Sequence, residues 1–305
     1  MKTGELYIVA GAALWGAIGV FFNYLSALGL QPLQIVALRV GSAALAFMLY
    51  LVFSGRKDLL KIAPRDVVYF IGTGIFSLVF FNWCYFNTIK LASLAVAAVL
   101  LYTSPVWIVL LAAVFFHERL SPQKILAVLL TLLGTALIVG VFSDGGARLS
   151  PLAALLGLGA GFGYALYSIF GKFALSKYAP ETVSAYTFIF ATLGAVPLAA
   201  SYGWTDVYLL PQTWLGTFGI GVVCCLLPFV LYTRGLKQVE AGKAAVLATV
   251  EPAVAALFSV ALYHEPLGFA KISGMALVFA AILLLNLKLP TKNPLKKTTE
   301  NLPKI

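Results

Sequence analysis

Ten long runs of apolar residues alternate with short polar connections along the 305-residue chain. Each run is close to the ~20 residues that an α-helix needs to cross a bilayer. Lipid offers no hydrogen-bond partners, so such runs must be helical. The pattern predicts an all-α polytopic membrane protein with ten transmembrane helices. The predicted spans are residues 5–25, 32–53, 67–88, 92–116, 122–142, 151–175, 180–201, 211–234, 242–263 and 267–287.

The chain contains an internal repeat. Residues 85–124 align without a gap on residues 232–271, at an offset of 147, and twelve of forty positions are identical. We therefore predict a first five-helix repeat over residues 1–146 and a second over residues 147–289. Five spans per repeat is an odd number, so the two copies are inverted relative to each other, as in secondary transporters.

Composition and charge agree with this topology. Hydrophobic residues make up 61% of the chain, charged residues only 10%, and the mean hydropathy is +0.97. Of the 21 Lys and Arg residues, 17 fall on one predicted face and 3 on the other. The positive-inside rule then places both termini in the cytoplasm. We expect a multi-pass protein of the plasma membrane of a bacterium.

The net charge of +10 does not indicate nucleic-acid binding. The basic residues lie in short connections and in a tail, rather than on a face interleaved with aromatic residues. The tail, residues 290–305, contains three prolines and several lysines and is predicted to be disordered at the anionic inner leaflet.

Two spans carry a proline near the middle, Pro105 in the fourth and Pro252 in the ninth, at equivalent positions of the repeat. A proline inside a helix removes one N–H donor and clashes with the carbonyl four residues earlier. Both are predicted as hinges beside a midplane binding site between the repeats. The alternative is a pair of packing kinks without a ligand.

Glu251 is the only acidic residue well inside any predicted span. A carboxylate at the bilayer centre costs about 2.5–3.5 kcal/mol even on insertion scales, so it needs a partner or water. Its counterpart in the first repeat is Ser104. Three roles are open: a proton carrier, a contact for a substrate ammonium, or a protonated structural group that hydrogen-bonds the broken backbone.

Arg39 is the other deep charge, about 10 Å into its predicted helix. It is interpreted either as an arginine bonded to helix carbonyls or, if it reaches a cavity, as a contact for a substrate carboxylate.

The sequences His117-Glu118 and His264-Glu265 end equivalent helices on opposite predicted faces. Glu118 and Glu265 are interpreted either as gates that pair with loop lysines in one conformation or as polar helix ends with local ion pairs.

Aromatic residues are frequent where a central cavity is predicted. Trp15 lies in the middle of the first span, which distinguishes it from aromatic residues of the membrane interface. The predicted substrate-binding residues are Trp15, Phe22, Tyr102, Ser104, Tyr164 and Glu251, with Arg39, Trp83 and Tyr85 as further candidates.

Several motifs resemble a known family. They are Leu14-Trp15-Gly16, an arginine in the second span, Tyr102-Thr103-Ser104-Pro105 running to His117-Glu118-Arg119, and Val250-Glu251-Pro252 running to His264-Glu265-Pro266. Together they resemble the ten-helix EamA-type branch of the drug/metabolite transporter (DMT) superfamily. The resemblance implies a central cavity and alternating access. This chain departs from the pattern in having histidine before the helix-end glutamate, where a small residue such as glycine is usual.

The leading hypothesis is a monomeric secondary transporter that exports a small metabolite, with amino acids as the best match, and with proton coupling open. The alternative is a carrier of a quaternary ammonium such as choline, or of a drug, held by Glu251 and aromatic rings. The sequence shows no paired catalytic carboxylates, no nucleophile beside a base and no clustered metal ligands. We therefore expect neither an enzyme nor a cofactor or metal.

Overall fold

The computed structural model describes residues 1–140, 150–203, 205–264 and 268–287. In these ranges it is all-helical, without strands, and the ten predicted spans are present. The helices are α1 Thr3–Ala27, α2 Pro32–Phe53, α3 Pro64–Leu91, α4 Leu94–Phe116, α5 Pro122–Val139, α6 Pro151–Leu175, α7 Pro180–Ala200, α8 Pro211–Gln238, α9 Ala241–Tyr263 and α10 Phe269–Asn286. The predicted fold class is confirmed. The predicted boundary at 146/147 and the tail 290–305 lie outside the described residues.

Helices α4 and α9 are interrupted at equivalent positions. Helix α4 consists of α4a (Leu94–Leu101) and α4b (Ser104–Phe116), and helix α9 consists of α9a (Ala241–Ala248) and α9b (Val250–Tyr263). In both cases the proline stands in the first turn of the second segment, where its missing N–H is tolerated.

Helix α1 is also interrupted, at a position where the hydrophobic pattern predicts a continuous span. It divides into α1a (Thr3–Trp15) and α1b (Ile18–Ala27) at Gly16 and Ala17. A β-carbon on Gly16 would lie 2.8 Å from the Val254 side chain and 3.0 Å from the Ala255 backbone nitrogen. Glycine therefore allows α1 to approach α9b closely, one turn beyond Glu251.

Two π-helical segments repeat at the same offset of 147 residues. They are Gly72–Val79 in α3 and Gly219–Leu226 in α8. Segments of this kind are rare and often lie at functional sites. Nothing in the hydrophobic pattern distinguishes them from α-helix, so they could not be predicted from it.

The helix contacts follow the repeat. Helix α1 packs against α8, and its counterpart α6 packs against α3, while α2 packs against α7 and α5 against α10. The α5–α10 contact is close because two glycines meet in it: a β-carbon on Gly134 would lie 2.7 Å from the Gly274 carbonyl oxygen. This exchange of partners is expected of two repeats related by an approximate two-fold axis, and the odd number of spans in each repeat makes that relation an inversion.

Ion pairs lie at one end of the bundle, the end predicted to be cytoplasmic. They are Arg56–Glu181, Lys124–Glu118, Lys124–Glu240, Lys177–Asp66, Arg234–Glu181 and Lys243–Glu5. Lys177, in the connection between α6 and α7, donates to Asp66 over 2.6 Å, and this hydrogen bond raises the pKa of the Lys177 ammonium. The pairs join α1, α3, α5, α7, α8 and α9 at a single face, here called the ion-paired end.

The two histidines at the ends of α4 and α9 adopt the left-handed backbone conformation. The φ angle is 53° at His117 and 54° at His264. Only glycine enters this region without steric strain, and it is the usual residue that ends a helix in this way. This explains the glycine that the family resemblance implies at the position, and it makes histidine a strained substitute.

We expect His117→Gly to stabilise the protein by about 1 kcal/mol, because glycine removes the strain and the exposed imidazole contributes no packing. His117→Ala keeps the strained β-carbon and should give no gain. Thermal unfolding in detergent of both variants and the parent protein measures the difference. Equal stability of the glycine and alanine variants would contradict this explanation.

Candidate functional site

A cavity of about 790 Å³ lies between the two repeats. It extends from the middle of the bundle to the end opposite the ion-paired end, where Asn23, Ser93 and Lys271 border its mouth. Its walls are mainly apolar and aromatic, with a few polar groups, as expected of a small-molecule site. Of the residues predicted to bind substrate, those that line it are Trp15, Phe22, Arg39, Tyr85, Tyr102, Tyr164 and Glu251; the predicted hinge Pro252 also lines it.

Glu251 occupies the first turn of α9b, beside the break in α9. The hydroxyl group of Tyr164 donates to its carboxylate over 3.4 Å, and Tyr102 is a second hydrogen-bond partner. The positive end of the α9b dipole further favours an anion in this turn. The site thus presents a carboxylate acceptor at the middle of the membrane, with two tyrosine donors and an open cavity beside it.

Aromatic rings form the floor of the cavity. The Trp15 ring lies 5.1 Å from those of both Phe229 and Tyr232. Below them, hydroxyl groups pair within the bundle: Ser168 with Tyr232 at 2.8 Å and Tyr167 with Thr233 at 2.7 Å. Because these side chains are buried and hydrogen-bonded, they separate the cavity from the ion-paired end in this conformation.

Arg39 reaches the cavity from α2 and is only 8% exposed. Its Nε atom is buried without a hydrogen-bond partner. The thiol groups of Cys224 and Cys225, in the π-helical segment of α8, lie beside its guanidinium.

Glu118 lies at the ion-paired end and contacts the N-terminus of α9a. Its carboxylate accepts hydrogen bonds from the backbone N–H groups of Ala241, at 2.6 Å, and Gly242, at 3.1 Å. The Lys124 ammonium lies 3.2 Å from the same carboxylate and 2.9 Å from that of Glu240. The side chains of Glu118 and Lys124 are almost fully buried, so this carboxylate caps α9a and ties it to the start of α5.

Three of the predicted residues lie away from the cavity, and a fourth is not described. Ser104 and Pro105 are buried at the start of α4b and do not line the cavity. Trp83 is 41% exposed and borders a separate small pocket that also contains Lys90. Glu265, the second predicted gate, lies outside the described residues.

The structure adds polar residues that the sequence did not indicate. Asn82, Ser168 and Tyr232 line the cavity, and Glu240 joins the Glu118 cluster. Within a helix that is apolar on all sides, hydropathy does not reveal which face turns inward. Tyr232 could have been predicted from the repeat, because it is the identical counterpart, at the offset of 147, of the candidate Tyr85.

The chain is similar to known transporters in sequence and to a solved structure in fold. A family model described as the EamA-like transporter family matches residues 2–140 and again residues 151–287. An uncharacterized transporter of Archaeoglobus fulgidus is 28% identical over 288 residues, covering 93% of this chain and 96% of the relative. The uncharacterized inner membrane transporter YicL of Salmonella typhimurium is 27% identical over 296 residues, covering 94% and 96%. A crystal structure with 21% identity superposes with a TM-score of 0.79 over 93% of this chain and 97% of that one.

The family match and the transporter relatives, together with the ten apolar helices, identify a multi-pass transporter of the plasma membrane and not an enzyme. The chain belongs to the EamA-like transporter family.

Proposed function

We propose that this protein is a secondary transporter that exports amino acids by alternating access around Glu251. The observation that carries the proposal is the Glu251 carboxylate with Tyr102 and Tyr164 beside the open cavity. A carboxylate in this setting attracts a cationic group, because the low dielectric of the membrane strengthens the attraction. The ammonium group of an amino acid supplies that cation, and the tyrosine hydroxyls hold the carboxylate in place for it.

The cavity is also large enough for a variety of side chains. About 790 Å³ lies well within the range of pockets that enclose small organic molecules. Its apolar and aromatic walls, including Phe81, Phe86 and Phe229, suit the apolar part of such a solute.

The position of the broken helix α9 supports alternating access as the proposed mechanism. Its first segment, α9a, begins at the Glu118 cap and ends next to the turn that carries Glu251. We propose that Pro105 and Pro252 act as hinges and Glu118 as a gate. Release of α9a from Glu118 would then open the ion-paired end, while the opposite mouth closes. A proton on Glu251 would neutralise the carboxylate once the substrate has left, which gives a route to proton coupling.

A second function is supported by the aromatic lining. Tyr102 and Tyr164 lie beside Glu251, and Trp15 lines the same cavity; each ring can attract a quaternary ammonium by about 0.5–2 kcal/mol. Transport of choline or of a cationic drug is therefore the alternative.

Flux measurements with purified protein in liposomes test both functions. We expect the protein to move at least one radiolabelled amino acid down an imposed gradient, with no flux in liposomes that lack it. Absence of flux for all twenty protein amino acids would overturn the proposal. Flux of choline without flux of any amino acid would favour the alternative.

A further inference from the structure

Arg39 is a buried cation that forms no close ion pair with a described carboxylate, and Glu251 interacts with it only at longer range. The residue is 8% exposed, its Nε atom has no hydrogen-bond partner, and its flanking groups include the thiols of Cys224 and Cys225. Among the ion pairs formed by the described residues, none within 4.0 Å involves Arg39. A buried charge is costly unless a partner of opposite charge is supplied.

The guanidinium also faces the same cavity as Glu251. A planar guanidinium suits recognition of carboxylates, because it can donate two parallel hydrogen bonds to them. The cavity thus contains an acceptor for a cation and a donor for an anion, on two different helices.

The two groups lie at different depths. Arg39 is seven residues after Pro32, the start of α2, and Glu251 is twelve residues before Tyr263, the end of α9. At 1.5 Å per residue they lie about 10 Å and about 18 Å along their helices from the ends nearest the cavity mouth, a difference of about 8 Å along the helix axes. An α-amino acid whose two charged groups each form one hydrogen bond spans a similar length, about 8 Å.

We propose that Arg39 binds the carboxylate of the substrate whose ammonium binds Glu251, and so restricts transport to solutes that carry both charges. This inference rests on the proposed function and goes further, because Glu251 alone would accept any amine. Arg39 is then the residue that separates amino acids from amines and from choline, since a solute without an anion would leave the guanidinium unpaired.

The test measures binding of matched probes to purified protein in nanodiscs by calorimetry. The probe pairs are L-leucine and 3-methylbutylamine, L-phenylalanine and 2-phenylethylamine, and L-lysine and 1,5-diaminopentane. Each amine is the amino acid without its carboxylate. The proteins are the parent, Arg39→Gln and Arg39→Lys, which keeps a charge but loses the planar fork.

The parent should bind at least one amino acid at least tenfold more tightly than its amine. Arg39→Gln should weaken binding of that amino acid at least tenfold and binding of its amine by less than threefold, so that the preference for the amino acid disappears. Arg39→Lys should retain part of the preference for the amino acid over its amine. Retained amine binding shows that the variant is folded.

Two results would overturn the role of Arg39: an amine that binds the parent as tightly as its amino acid in every pair, or equal weakening of both probes by Arg39→Gln. In either case amine binding that still requires Glu251 would leave the amine site of the proposed function standing. If no amino acid and no amine binds the parent, both proposals fail.

Discussion

Replacing Glu251 with glutamine should weaken substrate binding about 100-fold and abolish measurable transport. Glutamine keeps the size of the side chain and its capacity to accept a hydrogen bond from Tyr164, but it removes the negative charge. A hydrogen bond to a charged group contributes about 1.5–3 kcal/mol, which corresponds to roughly 10- to 150-fold in affinity. The measurement is calorimetric titration of the variant in nanodiscs with the amino acid that the parent transports.

The equivalent position of the first repeat provides a control variant for Glu251→Gln. Ser104 is the counterpart of Glu251 in the first repeat and does not line the cavity in this structure. We expect Ser104→Ala to weaken binding by less than threefold. If Ser104→Ala weakened binding as much as Glu251→Gln, Ser104 would have to be part of the binding site. If Glu251→Gln bound the amino acid normally, the Glu251 carboxylate would have only a structural role.

Replacing Glu118 with glutamine should open the ion-paired end. The change removes the charge that pairs with buried Lys124 and weakens the acceptor for the Ala241 and Gly242 N–H groups. Loss of such a cap and of a buried partner costs about 2–3 kcal/mol. Hydrogen exchange of the Ala241 and Gly242 amides should therefore accelerate about 100-fold, and transport should fall at least tenfold.

Glu240→Gln is the matched control, because it removes the other carboxylate that pairs with the same lysine. The Glu240 side chain is 61% exposed, and ion pairs of this kind contribute about 0–1 kcal/mol. Exchange at Ala241 and Gly242 should stay within fivefold of the parent. Similar acceleration in both variants would assign the effect to Lys124 rather than to the Glu118 cap.

The fold was predictable because the signals that define it are long and repeated. Ten apolar runs of about 20 residues allow only helices in lipid, and an offset of 147 with five spans per repeat requires inversion. The paired prolines also marked the interruptions in α4 and α9, because the loss of an N–H donor is a local property of proline.

The break in α1 could not be predicted in the same way. It contains no proline, and it depends on the close contact of Gly16 with Val254, which is more than 200 residues distant in sequence. The equivalent glycine, Gly163, lies within the uninterrupted helix α6. A lone glycine in an apolar helix has several explanations, and only the packing partner decides between them.

The site was predictable in part for a similar reason. Glu251 and Arg39 stood out because a charge within lipid is costly, and both line the cavity. Ser104 and Trp83 were proposed from repeat symmetry and aromatic character, neither of which fixes the direction of a side chain. The structure places Ser104 in the interior of the bundle and Trp83 at a separate pocket.

The most direct test of alternating access uses a single cysteine at Ala255, which lines the cavity one turn after Glu251. The three native cysteines, Cys84, Cys224 and Cys225, are buried and would be replaced by alanine. In sealed vesicles of known orientation, a membrane-impermeant thiol reagent should label this cysteine faster from the face opposite the ion-paired end. With Glu118→Gln added, the faster labelling should be from the ion-paired face. The same preference for one face in both proteins, or labelling of the parent from one face only even during transport, would contradict the account.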